Sequence, residues 1–227
     1  MHIEPGIVDG AKIVLSYATA ATAAGLTAKM AWDTIRNDGG AGALAIRSLI
    51  TTALVFIFFE VMPHYPVGVS EVHFILGATL YLVFGAGAAA IGLALGLLAQ
   101  GALFAPGDLP QYFINVTTLV IPLWAVSLLA RRIIPAHTAY KDVTFAQCLA
   151  LSAAYQGGIV AWVAFWAFYG QGFGAENLAS VGTFGIAYLT VIILEPIADL
   201  AILAAAKALD RFGGSPVFHN RLHSPAR

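Results

Sequence analysis

The sequence has little charge and almost no cysteine, and each shortage excludes a class of protein. Only 10% of its 227 residues are Asp, Glu, Lys or Arg, whereas about 25% is usual for a soluble domain. The single cysteine, Cys148, lies in an apolar run and excludes both an internal disulfide and a cysteine-based metal cage. No GxxxxGK[ST] phosphate-binding loop occurs, so any ATP hydrolysis has to be carried out by another protein.

Apolar residues, in contrast, are abundant. They make up 59% of the chain, and the mean hydropathy is +0.83. A water-soluble globule of this size cannot bury so much apolar surface, so the composition predicts an integral protein of the cell (inner) membrane, with the lipid bilayer as its surroundings. We expect neither enzymatic activity nor nucleic acid as a partner.

Seven apolar segments predict an all-α fold, a polytopic membrane bundle of about seven transmembrane helices. A span needs about 20 apolar residues. The segments cover residues 10–28, 46–62, 73–85, 88–104, 112–130, 143–169 and 178–209. We predict one transmembrane substrate-binding domain over residues 1–212. A polar cytoplasmic tail over residues 213–227 follows it, in which His219 and His223 are solvated.

The distribution of basic residues predicts that the N-terminus lies outside and the C-terminus in the cytoplasm. Lys and Arg flank the connections at residues 29–47 and 131–141 and follow the last segment, but they are absent from the alternate connections. The predicted outer face then carries several acidic residues and attracts cations. These residues are Glu4, Asp9, Glu60, Glu71, Asp108 and Glu176.

The opening stretch MHIEPG places a histidine directly after the initiator methionine. A large second residue leaves Met1 in place, so its amine can join the amide nitrogen and Nδ1 of His2 in two fused chelate rings. We therefore predict a metal-chelating segment at residues 1–9. A signal peptide is the alternative, but its first residues are normally basic, whereas Glu4 and Asp9 are acidic.

A fourth nitrogen is offered by His73, at the start of the third apolar segment. A polar side chain at a membrane boundary is a candidate functional residue. Four nitrogens favour a planar arrangement that suits Ni(II) and Cu(II) and accommodates Co(II), whereas Zn(II) prefers a tetrahedron. We predict that three further side chains orient the imidazoles or the N-terminal segment by hydrogen bonds, without binding the metal themselves. They are Glu60, Glu71 and Asn115.

Several of these features together resemble the CbiM/NikM family, the cobalt and nickel substrate-binding components of energy-coupling factor transporters. The shared features are the start MHI followed by glycine, a histidine twelve residues before Gly85, and the stretch LLAQGALFAPGDLPQYFINV, in which Gln100, Gly107 and Asn115 match. Two places depart from the family pattern: Glu4-Pro5-Gly6 after MHI, and Phe74-Ile75-Leu76 in place of Pro-Thr-Gly after His73.

The resemblance implies a metal uptake subunit that holds Ni(II) or Co(II), its transported substrate, through Met1, His2 and His73. It implies no organic cofactor. The implied partners are a transmembrane coupling (T) subunit and ATPase subunits, with a small accessory membrane protein as a further candidate.

Three other interpretations remain open on the residues alone. A haem protein needs two inward-facing histidines in spans, and only His73 is near one. A membrane channel, or a substrate-binding component for another small molecule, leaves His2 incidental.

Glu195 and Asp199, four residues apart in ILEPIADL, fit a proton relay, although we expect them to pack against cytoplasmic-side residues or a coupling subunit.

Overall fold

The computed structural model describes residues 2–208 and 215–225, which are mostly helical. Met1 lies outside the described residues. The α-helices are α1 (Val14–Asn37), α2 (Gly40–Phe56), α3 (Gly77–Phe84), α4 (Ala86–Leu103), α5 (Tyr112–Ile133), α6 (Phe145–Gln171), α7 (Ala175–Ala208) and α8 (Asn220–His223). Strands β1 (Tyr65–Val67) and β2 (Ser70–Val72) form an antiparallel hairpin between α2 and α3.

Five helical segments within the described residues are long and apolar enough to cross a membrane. They are Gly40–Val61, Ala86–Leu103, Pro106–Ile133, Phe145–Gln171 and Ala175–Ala208. Helix α1 is long but carries Lys29, Asp33 and Arg36 in its second half. The multi-pass helical class is confirmed, whereas the count of seven spans and the orientation of the termini are not.

The third predicted span is instead the eight-residue helix α3. Eight residues extend about 12 Å along a helix, well short of the roughly 30 Å of a bilayer core. Every residue of α3 is nevertheless buried, so this short helix lies inside the bundle. Leu76, in the left-handed region at φ 56°, precedes it, and Gly85, at φ 87°, separates it from α4.

Small residues allow α4 to pack closely against α2. A Cβ added at Gly92 would lie 2.2 Å from the Thr51 side chain, and one at Gly96 would lie 2.6 Å from Val55. The Thr51 hydroxyl also donates a 2.8 Å hydrogen bond to the carbonyl oxygen of Ala88. Close approach through small residues is typical of helices in lipid.

The C-terminal residues 215–225 pack against the bundle, so the prediction that His219 and His223 are solvated is wrong. The backbone N–H of His219 donates to the Val83 carbonyl at 2.8 Å. Its ring stacks on Tyr140 at 5.4 Å between centroids, and the His223 ring lies 6.0 Å from Phe218. A polar segment is expected to be exposed to solvent only where the rest of the protein offers it no hydrogen-bonding groups. Here the bundle offers such groups, among them the Val83 carbonyl.

Glu195 and Asp199 lie inside the bundle, where their hydrogen-bond partners are residues of α3 and α6. Both have no exposed surface. Ser152 of α6 donates to Asp199 at 2.9 Å, and Gln156 of the same helix donates to Glu195 at 2.8 Å. Cys148, also on α6, is a buried free thiol, as predicted.

Candidate metal centre

The N-terminal segment binds alongside the β-hairpin. The carbonyl oxygen of His2 accepts hydrogen bonds from the backbone N–H of Glu71 at 3.1 Å and from the Ser70 hydroxyl at 2.9 Å. The backbone N–H of Glu4 donates to Val69 at 3.1 Å. These bonds act like an added strand and bring position 2 next to residues 70 and 71, which lie 68 and 69 positions further along the chain.

The other side of the segment is held by α5 and α6. The Asn115 side-chain oxygen accepts from the backbone N–H of Ile3 at 2.9 Å, and Gln111 donates to the Val8 carbonyl at 3.0 Å. The Ile3 and Val8 side chains are buried in a cluster with Trp166. Apolar burial and polar contacts therefore position the backbone on both sides of His2.

Two histidines converge on one carboxylate at the centre of this region. His2 Nδ1 and His73 Nε2 lie 2.9 Å and 3.0 Å from the same oxygen, Oε2 of Glu71. One potential ligand atom from each of the three residues lies within 4.8 Å of the other two. His2 and His73 are only 2% and 1% exposed. Two imidazole nitrogens and a carboxylate oxygen form a donor set that suits a borderline transition metal ion.

Aromatic rings enclose one side of the cluster, and a second carboxylate lies near the other. The Phe59 ring lies 5.1 Å from that of His73 and 5.5 Å from that of His2. The His64 ring stacks on His73 at 4.9 Å. Asp108 Oδ2 lies 3.7 Å from His2 Nδ1. The surroundings combine shielding from water with local negative charge, which favours a bound cation.

Several buried polar atoms around the cluster have no hydrogen-bond partner among residues 2–208 and 215–225. They are His2 Nε2, His73 Nδ1 and Gln100 Oε1. A small cavity lies beside them, lined by His2, Gln100, Asp108 and Asn115 together with apolar groups. Buried polar atoms are normally satisfied, so this concentration of unsatisfied ones indicates a place built for a ligand.

Burial and hydrogen bonding fix the charge of the cluster. Burial raises the pKa of Glu71, but the hydrogen bonds from His2 and His73 outweigh it and hold that pKa well below its usual range. Burial lowers the pKa of His73 well below its ordinary value. At neutral pH the cluster therefore presents an ionised carboxylate and a neutral imidazole, which are the forms that bind metals.

The carboxylate of Glu4 adds to the negative character of this region. Burial, together with the charges of Glu71 and Asp108, raises the pKa of Glu4. Because these carboxylates repel one another, a cation placed among them would be stabilised by all three.

The candidate site residues from the sequence differ in how close they lie to the two histidines. It brings His2 and His73 together and places Glu71 in direct contact with both rings, rather than only behind them. Asn115 contacts the backbone of Ile3. Glu60 lies apart from the histidines and accepts a long hydrogen bond of 3.5 Å from Gln100.

Sequence reasoning missed the roles of Asp108 and Gln100 beside the cluster. Asp108 had been counted only as one of several acidic residues of the outer face, and Gln100 only as a match to the family pattern. No spacing along the chain connects positions 100 or 108 with position 2, because the fold of the N-terminal segment creates that proximity. The concentration of polar residues in AQGALFAPGDLPQ, within an otherwise apolar region, is the signal that could have found them.

Comparisons with known proteins agree with this fold. Two crystal structures match it at 18% sequence identity. One, described as a transition metal transporter, has a TM-score of 0.68 with 93% of this chain and 94% of the other covered. The second, described as a truncated transition metal transporter, has a TM-score of 0.71 with 92% and 99% covered. At this identity the likeness shows the fold. A comparison with curated proteins gives no match.

A family model matches nearly the whole chain. The model is CbiM, the cobalt uptake substrate-specific transmembrane region, and it matches residues 2–211. The chain thus belongs to the CbiM family, as a multi-pass membrane component of metal uptake and not an enzyme.

Proposed function

We propose that this protein captures Ni(II) or Co(II) as the substrate-binding subunit of an energy-coupling factor transporter. The ion is held by the Met1 amine, the amide nitrogen and Nδ1 of His2, and Nε2 of His73. The observation that carries this proposal is the convergence of His2 Nδ1 and His73 Nε2 on one point, now taken by Glu71 Oε2.

The orientation of the His2 ring supports the chelate. Nδ1 is the imidazole nitrogen that can close a ring with the amide nitrogen of the same residue, and Nδ1 is the one directed into the cluster. The backbone of His2 is anchored through its carbonyl oxygen to Ser70 and Glu71. These bonds hold His2 in place through its carbonyl oxygen and do not involve its nitrogen atoms.

The donor set favours Ni(II) and Co(II) as cargo. A planar arrangement of four nitrogens suits Ni(II) and accommodates Co(II), whereas Zn(II) prefers a tetrahedral site. The carboxylates of Glu71 and Asp108 then offset the charge of the ion, and Asn115 holds the neighbouring Ile3 amide. Because the amine and amide must lose protons to bind, metal affinity rises with pH.

The proposal assigns the transport steps that follow capture to partner subunits. The chain has no phosphate-binding loop, so a transmembrane coupling (T) subunit and ATPase subunits supply the energy. In this proposal the metal centre faces outside and the C-terminus lies in the cytoplasm, which the pattern of basic residues supports. A small accessory membrane protein completes the set of proposed partners.

Binding measurements on ligand variants test this function. Ni(II) and Co(II) affinities of the native protein in lipid nanodiscs are compared with those of His2→Ala and His73→Ala. We expect each variant to lose at least about 100-fold in affinity, because even outer-shell partners contribute about 10- to 100-fold.

The matched control is His137→Ala, since this histidine is exposed in the connection between α5 and α6 and lies outside the cluster. We expect that variant to keep the native affinity. Unchanged affinity in His2→Ala and His73→Ala would contradict the proposal.

A further inference from the structure

A second group of acidic side chains lies in the membrane-spanning part of the bundle. Glu195 and Asp199 are four residues apart on α7, so they share one face of the helix. Neither has any exposed surface. Carboxylates in such a position are costly and usually functional.

Neutral groups surround this pair. Asp199 accepts hydrogen bonds from the hydroxyl groups of Thr79 and Ser152, and Glu195 Oε2 accepts from the Gln156 amide. Over residues 2–208 and 215–225, no Lys or Arg side chain pairs with either carboxylate. Because a buried carboxylate has to be neutralised by a proton or by a cation, and no described Lys or Arg supplies the charge, the pair offers a place for either.

Unsatisfied oxygen atoms collect around Glu195. Among the described residues, Gln156 Oε1 and the Tyr155 hydroxyl are buried oxygens without a hydrogen-bond partner. Tyr155 and Tyr188 both lie within electrostatic range of Glu195. Carboxylate, amide and hydroxyl oxygens facing one region form an oxygen-donor set for a divalent cation.

Helix α3 connects this region to the metal centre. His73 lies six positions before Thr79, the residue whose hydroxyl binds Asp199. The backbone N–H groups of Gly77 and Ala78, in the first turn of α3, donate to the Glu195 carboxylate. A Cβ at Gly77 would lie 2.2 Å from the Tyr155 ring, so glycine is required for this close approach.

We propose that Glu195 and Asp199, with Gln156, Thr79 and Ser152, form a second site that the divalent metal cargo occupies after it leaves the His2–His73 centre. This inference rests on the proposed function. Ni(II) and Co(II) bind imidazole better than oxygen-only ligands. The second site therefore binds the ion more weakly than the His2–His73 centre. Weaker binding is required of a site that has to release the ion.

Metal stoichiometry tests the second site. Co(II) binding is measured by equilibrium dialysis on the full chain in nanodiscs of zwitterionic lipid, for four proteins. These are the native protein, His73→Ala, the double variant Glu195→Gln/Asp199→Asn, and Glu176→Gln. The last is a control because Glu176 is an exposed carboxylate at the start of α7.

We expect one tight and one weaker class of Co(II) in the native protein and in the control. The double variant loses the weaker class and keeps the tight one, which also shows that it is folded. His73→Ala loses the tight class and keeps the weaker one.

Three outcomes would overturn the inference. In the first, the native protein binds a single Co(II) at all concentrations. In the second, the double variant keeps the second ion. In the third, an infrared carboxylic-acid band of the metal-saturated native protein is lost in Glu195→Gln, because the pair would then hold a proton in place of the metal. Failure of the proposed function is distinguishable, because in that case the tight class is missing from the native protein itself.

Discussion

The two ends of the chain both bury histidine beside a carboxylate, yet they differ in how completely these groups are satisfied. At the N-terminal end, His2 and His73 share one oxygen of Glu71, and their other ring nitrogens find no partner in the part of the chain that the structure describes. At the C-terminal end, His219 lies 3.3 Å from Asp38, which also binds Arg47.

The C-terminal network is closed by protein groups. Arg47 is fully buried and donates to Asp38 at 2.6 Å, to the Pro216 carbonyl at 2.9 Å and to the Phe218 carbonyl. The other Asp38 oxygen accepts from the backbone N–H of Asn220 at 2.9 Å. A positive charge therefore balances the carboxylate, and its oxygens are used.

Among the described residues, no Lys or Arg pairs with the carboxylates of the N-terminal cluster. Its Glu71 carboxylate faces both imidazoles, and His2, whose Nε2 has no partner among the described residues, lines a small cavity. The comparison teaches that residue types alone do not separate a structural network from a binding site. Satisfaction of hydrogen bonds and charge separates them, because native proteins leave buried polar atoms unpaired mainly where a ligand completes them.

Arg47→Ala is the strongest test of the closed network. Removing this cation leaves Asp38 buried without its partner, which should cost about 3–5 kcal/mol of the free energy of unfolding. Denaturant unfolding in detergent measures the loss. As a control, Lys29→Ala removes an exposed ion pair with Asp33, worth about 0.5 kcal/mol. Equal losses in the two variants would show that the buried network is not structural.

The same network should make stability depend on pH through His219. Burial lowers the pKa of His219 from its ordinary value of 6.5 to about 4. Below pH 6.5 the unfolded chain gains a proton that the folded protein does not. The free energy of unfolding therefore falls as pH decreases from about 6.5 to 4, by about 3 kcal/mol in total.

The variant His219→Asn separates this contribution from the rest of the molecule. Asparagine keeps an acceptor for the backbone N–H of Arg221, which His219 Nδ1 binds at 3.0 Å, but it does not titrate. We expect a shallower pH dependence of unfolding in this variant. Identical pH profiles for native and variant proteins would be evidence against the role of His219.

Glu71→Gln tests the open cluster with a smaller expected effect. The substitution keeps the shape of the side chain but removes the charge that faces both imidazoles, so we expect Ni(II) and Co(II) affinity to fall about 10- to 100-fold. Isothermal titration measures the change. Glu60→Gln is the matched control, because Glu60 binds Gln100 and not the histidines. A loss of the same size in both variants would mean that only general negative charge matters.

The sequence was sufficient to predict the membrane class and to pair His2 with His73. Long apolar runs report burial in lipid directly, and the MHI start restricts the chemistry of the segment. It did not predict the shortness of α3, because hydropathy counts apolar residues and does not show where the backbone turns at Leu76 and Gly85.

The sequence also failed to predict the docked C-terminal residues and the central place of Glu71. Basic residues such as Arg47 were interpreted as markers of the membrane surface, whereas Arg47 is buried and binds residues 216 and 218. Glu71 was expected only behind the histidines, because its contact with His2 exists only once the N-terminal segment has bound to the hairpin. Such long-range pairings arise from the fold and leave no spacing pattern in the chain.

The most direct test of the central claim compares the native N-terminus with one extended by a few residues. The extension keeps every side chain and converts the Met1 amine into an amide, which removes one proposed ligand. Ni(II) and Co(II) affinities of the two proteins are measured in nanodiscs at the same pH. The account predicts at least about a 100-fold loss on extension, with unfolding stability unchanged. Equal affinity in both forms would contradict a metal chelate at the N-terminus.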